Sequence, residues 1–268
     1  MRALHKIWEQ LSNDALLKVR MCDLGLDLKH SHIRDYIDQL YAELAQKKIR
    51  FRPHIWISTS WFSPYGVPGF ALPFYLLHPR LSELERQFIG EVEGGDKDWC
   101  MKILRHETGH AIDNAFHLRK SKKRQALFGL SKTKYPTRYL PKHSDKDFVQ
   151  HLENHYAQAH PDEDWAETFA VWLDPRSNWR LKYNNWGALK KLELAHRLST
   201  KIIDMKQLVS SKERIDDISE CKQTLEEYFI EKQRKYRIIP QHKRQKLAAL
   251  QNQLHNNNDR QGRRWIIM

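Results

Sequence analysis

Two histidines stand one helical turn apart in LRHETGHAIDNAF, residues 104–116, with a glutamate directly after the first. At 3.6 residues per turn, His106, Glu107 and His110 fall within one arc of about 100°. Imidazoles one turn apart can aim at a common point, and a zinc ion there needs about 2.0–2.1 Å to each nitrogen. Glu107 then borders the open coordination position, where a carboxylate can accept the proton of an activated water. This is the HExxH pattern, and its chemistry is metal-assisted hydrolysis. The chain carries 15 His, so a helix with two surface histidines is the competing reading, and the short pattern alone does not decide.

A catalytic zinc takes a third protein ligand. The Gly and His of the longer HExxHxxGxxH pattern are missing, since Asp113 and Phe116 occupy those positions. The best source is HPDEDWAETFAVWLDP, residues 160–175. Pro161 suits the first position of a helix, and acids favour its first turn. Trp165, Phe169, Trp172 and Leu173 form a broad apolar arc, with Glu163 and Glu167 one turn apart on another stripe. The helix dipole accounts for Asp162 and Asp164 but poorly for Glu167. Spacing alone lets Glu163 and Glu167 exchange roles. His151, His155 and His160 crowd the same stretch as alternative ligands or oxyanion donors, and Asp113 is placed to support His110 or to make capping contacts.

HETGHAID followed about fifty residues later by EDWAETFA resembles the gluzincin metallopeptidases. It is similar to the catalytic domain of anthrax lethal factor, and closer to a bacterial family of zinc-binding metallopeptidases marked by an HExGH helix and an EDWAE helix. The resemblance covers residues 50–175 and does not extend to the C-terminal end. It implies zinc held by His106, His110 and Glu163, with Glu167 accepting a hydrogen bond from a ligand histidine. It also implies a tyrosine seven positions before the ligand glutamate, which is Tyr156, as the donor that stabilises the oxyanion. Glu107 would act as general base and then as general acid toward the leaving amine.

The elements that must position these residues follow from periodicity and turn chemistry. Apolar residues at helical spacing mark 3–19 and 31–48. HIWISTSWF (54–62) reads as a strand, SPYGVPG (63–69) as a turn, and FALPFYLLH (70–78) as an extended segment that Pro73 confines to an edge or an irregular strand. These two segments offer an edge along which a peptide could lie. Helices are expected over 81–89, 99–118, 145–157, 162–173, 186–208 and 212–235, with 125–144 irregular around Pro136 and Pro141. On the 99–118 helix, Met101, Ile112 and Phe116 lie opposite the histidines as the inward side.

The fold class expected is α+β and zincin-like. A small twisted N-terminal sheet with helices occupies residues 1–98, a helical lobe with the metal site 99–231, and a basic, partly disordered tail 232–268. Of the net charge of +13, ten Lys/Arg against Asp259 place +9 in residues 232–268. Such a tail supports a second reading, a DNA-associated metalloprotease whose tail binds phosphate without reading sequence. A non-catalytic zinc-binding module is a third, although Glu107 is dispensable for metal binding and argues against it. A fourth keeps the site but takes a small amide or peptide cross-link as substrate. Cys22, Cys100 and Cys221 are too dispersed for a disulfide framework or a metal pair. No apolar run is long enough to span a bilayer, so a cytoplasmic protein without a membrane partner is expected.

Overall fold

The computed structural model describes residues 4–236. They form two compact units. The larger comprises residues 25–82 and 93–221, and the smaller comprises residues up to 24, 83–92 and 222 onward. The chain is mostly helical, with a small parallel sheet of two strands. No described helix is long and apolar enough to cross a membrane.

In the smaller unit, a 3-10 turn (Leu4–Gln10) precedes helix α1 (Asn13–Leu17). The expected single helix over 3–19 is broken at Ser12, which caps α1 by accepting from the Ala15 N–H. Trp8 donates its indole N–H to the Leu24 carbonyl at 2.8 Å.

The larger unit holds α2 (Ile33–Gln46), strands β1 (His54–Ser58) and β2 (Gly69–Pro73), and the start of α3 (Pro79–Ile89). It also holds α4 (Lys97–Phe116), α5 (Lys122–Phe128), α6 (Pro161–Leu173), α7 (Trp179–Lys182) and α8 (Ala188–Lys201). The strands are parallel, in register from His54 opposite Gly69 to Ser58 opposite Pro73. A β-carbon on Gly69 would lie 2.2 Å from the His54 carbonyl oxygen, so only glycine lets the strands meet there. β2 is buried at every residue, and the Ala71 N–H donates to the Phe62 carbonyl at 2.9 Å. Segment 70–78 is therefore core, not an open peptide edge, and after Pro73 it turns into a 3-10 helix.

Three expected helices are shorter or absent. Residues 145–152 are not helical, and a 3-10 segment follows only at Glu153–Gln158, with Asn154 and His155 at positive φ. Side chains claim the donors a helix would use. The Gln150 N–H donates to the Tyr183 hydroxyl and the Leu152 N–H to Glu167. The helix expected over 212–235 is confined to α9 (Leu225–Lys235), in the smaller unit. Upstream, the carbonyls of Ile215 and Asp216 accept from the Trp56 indole and the Ser58 hydroxyl instead. The helix expected over 186–208 ends at Lys201, and the Leu208 N–H turns back to the Ala115 carbonyl.

Candidate metal centre

α4 is capped by Asp96, which accepts from the Trp99 N–H, and it ends where His117 adopts a left-handed conformation. From Cys100 to Phe116 only Lys102 and His110 escape burial, so the helix is a central rod without the single inward face read from its periodicity. α6 is capped by His160, whose Nδ1 accepts from the Asp162 N–H, with Pro161 at its first position. It is buried from Asp162 to Leu173. The two helices touch at Gly109, where a β-carbon would lie 2.9 Å from the Ala166 Cα. Trp165 reinforces the crossing by donating its indole N–H to the Gly109 carbonyl.

This contact brings His106, His110 and Glu163 together. His106 Nε2 lies 3.2 Å from His110 Nε2 and 3.1 Å from Glu163 Oε2, and His110 Nε2 is 3.3 Å from the same oxygen. Donors 2.0–2.1 Å from one ion in a tetrahedral arrangement are separated by about 3.3 Å. The triangle therefore matches a face of such a site, and the three residues could hold a metal ion. Glu167 Oε1 accepts from His106 Nδ1 at 2.8 Å, which turns Nε2 toward His110 and Glu163 and makes it the nitrogen available to a metal. Glu167 Oε2 accepts from the Leu152 N–H at 2.9 Å.

Electrostatics follow the burial. Burial opposes the charge on Glu163, but His110 and His106 outweigh it and hold the carboxyl well below the usual carboxylate range. Burial also works against a charged His106, and the hydrogen bonds with Glu163 and Glu167 reverse the sign and raise it. Burial raises Glu107, against the pull of His106 and His110. Glu107 is 6% exposed, and its Oε2 has no hydrogen-bond partner among the described residues. A buried carboxylate oxygen without a partner is costly, and a group arriving from outside the chain would satisfy it.

The other residues singled out by sequence are distributed as follows. The Tyr156 ring lies 5.8 Å from that of His106, and its hydroxyl makes no hydrogen bond to a described residue. Burial and the nearby Glu163 and Glu107 carboxylates raise this phenol. None of His151, His155 and His160 joins the three-residue group. His151 donates Nε2–H to the Lys102 carbonyl, His155 pairs with His143, and His160 is a helix cap. The Asp113 side chain makes no hydrogen bond to His110. It binds Arg119 through that residue's backbone and side chain, and Arg124 at 3.0 Å.

Several partners are not visible in the sequence. Arg124, fully buried on α5, also reaches Asp162 at 3.2 Å and so ties α4 to α6. Asp164 is paired with Lys191 at 2.6 Å, and burial pushes its carboxyl up to about 7 against that pull. Asp162 and Asp164, two of the three acids of the first turn, thus serve buried ion pairs as well as the dipole. Arg105 forms a two-pronged bond to Glu43 of α2, at 2.7 Å on each prong, and contacts Asp174. Tyr135, in the irregular segment after Gly129, donates its hydroxyl to Glu163 Oε1 at 2.7 Å. Only the tyrosine itself, an aromatic among turn residues, could have signalled the last of these.

No curated protein and no solved structure matches the chain. Residues 101–211, which carry His106, His110 and Glu163 on α4 and α6, match the sequence model of a family described as "putative zinc-binding metallo-peptidase".

Proposed function

We propose that the chain is a zinc-dependent metallopeptidase of the gluzincin kind, with a zincin-like arrangement of α4 and α6. One observation carries the reading. The Nε2 atoms of His106 and His110 and one oxygen of Glu163 converge at 3.1–3.3 Å, beside a buried glutamate with an unpartnered oxygen. His106, His110 and Glu163 are the ligands in this reading, and Glu167 fixes the tautomer of His106. Zinc held by these residues would supply Lewis acidity, which would polarise a scissile carbonyl and make a water acidic near neutral pH.

The chain's own residues do the proton work. Glu107 accepts the proton of the attacking water on Oε2 and later delivers it to the leaving amine. Its burial keeps bulk water from competing for that oxygen, and its raised affinity for a proton suits a base that must also act as an acid. Tyr156 offers its uncommitted hydroxyl to the oxygen of the tetrahedral adduct. The substrate is a peptide or protein in this reading. The nucleic-acid role suggested by residues 232–268 falls, from 237 onward, outside the described residues.

The test is metal content by elemental mass spectrometry together with amide hydrolysis. Wild type should carry about one zinc per chain, the minimum for a three-ligand site. Glu107→Gln should keep it and lose turnover by at least the roughly 10²–10⁴-fold that a general base supplies. Zinc retained with full activity in Glu107→Gln would refute the mechanism. A wild type that holds zinc but hydrolyses no amide would favour the non-catalytic module.

A further inference from the structure

We propose that Tyr135 is a positioning residue for the metal centre: its hydroxyl holds Glu163 Oε1, so that Oε2 alone faces His106 and His110. The inference rests on the reading of Glu163 as a ligand. A carboxylate with both oxygens free can offer a metal one or both of them, and the choice sets how many positions remain for water and substrate. In this chain the two oxygens of Glu163 have different partners. Oε2 lies 3.1 and 3.3 Å from the two imidazole nitrogens, while Oε1 accepts from the Tyr135 hydroxyl at 2.7 Å.

The segment that carries Tyr135 has no regular structure, and side chains at the start of α6 hold it in place. His160 is the centre of this arrangement. Its Nδ1 accepts from the Asp162 N–H, so Nε2 carries the hydrogen and donates to the Thr133 carbonyl at 2.8 Å. The same imidazole stacks on the Tyr135 ring, 3.7 Å between centroids and 8° from parallel. Ser131 adds a hydrogen bond to Asp162. Further along, Tyr139 donates its hydroxyl to the Asn154 carbonyl, and the Gln158 amide bonds both the N–H and the carbonyl of Lys142. The residue that caps the helix bearing Glu163 therefore also orients the phenol that restrains Glu163. Tyr135 is 57% exposed, so it is not a core-packing residue. Its geometric definition comes from the stack and the carboxylate, and removing its hydroxyl leaves no internal cavity.

The experiment compares the full-length wild type with Tyr135→Phe and Tyr139→Phe, the second removing a hydroxyl from the same segment that bonds the Asn154 carbonyl and not Glu163. Zinc affinity is read by competition with a chromophoric chelator, and coordination by the visible absorption of the cobalt(II)-substituted proteins. Tyr135→Phe should bind zinc roughly 10–100-fold more weakly, the range typical for partners that orient a ligand. Its cobalt band should lose intensity per metal, as expected when the carboxylate turns to offer both oxygens and the coordination number rises. Tyr139→Phe should match the wild type in both. An unchanged affinity and an unchanged cobalt spectrum in Tyr135→Phe, with zinc present in the wild type, would overturn this inference and leave the metal centre standing. Equal losses in Tyr135→Phe and Tyr139→Phe would also overturn it, by showing that any disturbance of the segment suffices. A wild type that takes up no zinc would overturn the metal-centre reading itself.

Discussion

Glu167 commits both of its oxygens to fixed donors, one to His106 Nδ1 at 2.8 Å and one to the Leu152 N–H at 2.9 Å. The imidazole is thereby held in one orientation, and both His106 and Glu167 are buried. Glu167→Ala should lower zinc affinity roughly 10–100-fold. Glu163→Ala, which removes a ligand in the proposed set, should lower it further. Chelator competition on both variants checks the order. If Glu167→Ala proved the worse of the two, the glutamates would exchange roles.

The crossing of α4 and α6 tolerates no side chain at Gly109. An added β-carbon would meet backbone, the Ala166 Cα at 2.9 Å and the Ala166 carbonyl oxygen at 3.2 Å. Gly109→Ala should therefore destabilise the fold by about 1–3 kcal/mol, the cost of overpacking. It should also weaken zinc binding, because the proposed ligands sit on the two helices being pushed apart. Urea unfolding with and without zinc separates the two effects. A variant as stable as the wild type would show that the helices can slide.

Arg105, Glu43 and Asp174 form a buried charge cluster with no direct part in the proposed chemistry. Arg105→Leu should cost roughly 3–5 kcal/mol, because it leaves the Glu43 carboxylate buried with only the Gln39 amide and no cation to balance its charge. Arg105→Leu combined with Glu43→Leu should recover most of that loss, since well-packed apolar residues often replace a buried pair at little cost. A double-mutant cycle in urea measures the coupling, and a double variant no better than Arg105→Leu alone would refute this account.

The three cysteines should separate by reactivity. Cys100 is buried on α4, and burial, with Asp96 nearby, pushes its thiol up to about 12. The thiolate is the reactive form, so Cys100 stays protonated and inert through pH 7–9 and would ionise only as pH approaches its raised value. Cys22 and Cys221 are half-buried. Mass spectrometry after iodoacetamide treatment of the native protein at pH 8 should find label on those two alone, with Cys100 labelled only in denaturant. Native labelling of Cys100 would contradict its placement.

Removing the metal should be felt in stability as well as activity. A ligand bound only by the folded state adds about 2.7 kcal/mol at a free concentration 100 times its Kd. Thermal melting should fall on dialysis against a chelator and recover with zinc. Melting indifferent to zinc would mean that the His106, His110 and Glu163 cluster holds none.

The sequence made the centre of this site legible because its geometry is local. A one-turn spacing on a helix fixes His106 and His110 relative to each other in any protein, and the acidic, aromatic 160–175 segment pointed to a second buried helix, which α6 provides. What lay beyond reach depends on tertiary choice. Asp162 and Asp164 looked like ordinary first-turn acids, because nothing in their own segment discloses Arg124 and Lys191 as partners. The helix expected over 145–157 has plausible periodicity, but Glu167 and Tyr183 draw its backbone donors away. Tyr135 sits in a stretch with no period at all, where only the folded chain shows which carboxylate it meets.

The distance along the chain between the two halves of the centre has a consequence during synthesis. His110 and Glu163 are 53 positions apart (163 − 110), on α4 and α6. At about 5–20 residues per second, the histidine pair leaves the ribosome roughly 3–10 seconds before the carboxylate can join it. For that interval the nascent chain presents the two imidazoles alone, without the Glu163 proposed as third ligand and without Glu167 to orient His106. On the proposed reading, full-strength metal capture would await the docking of α6, and loading would report that this docking is complete.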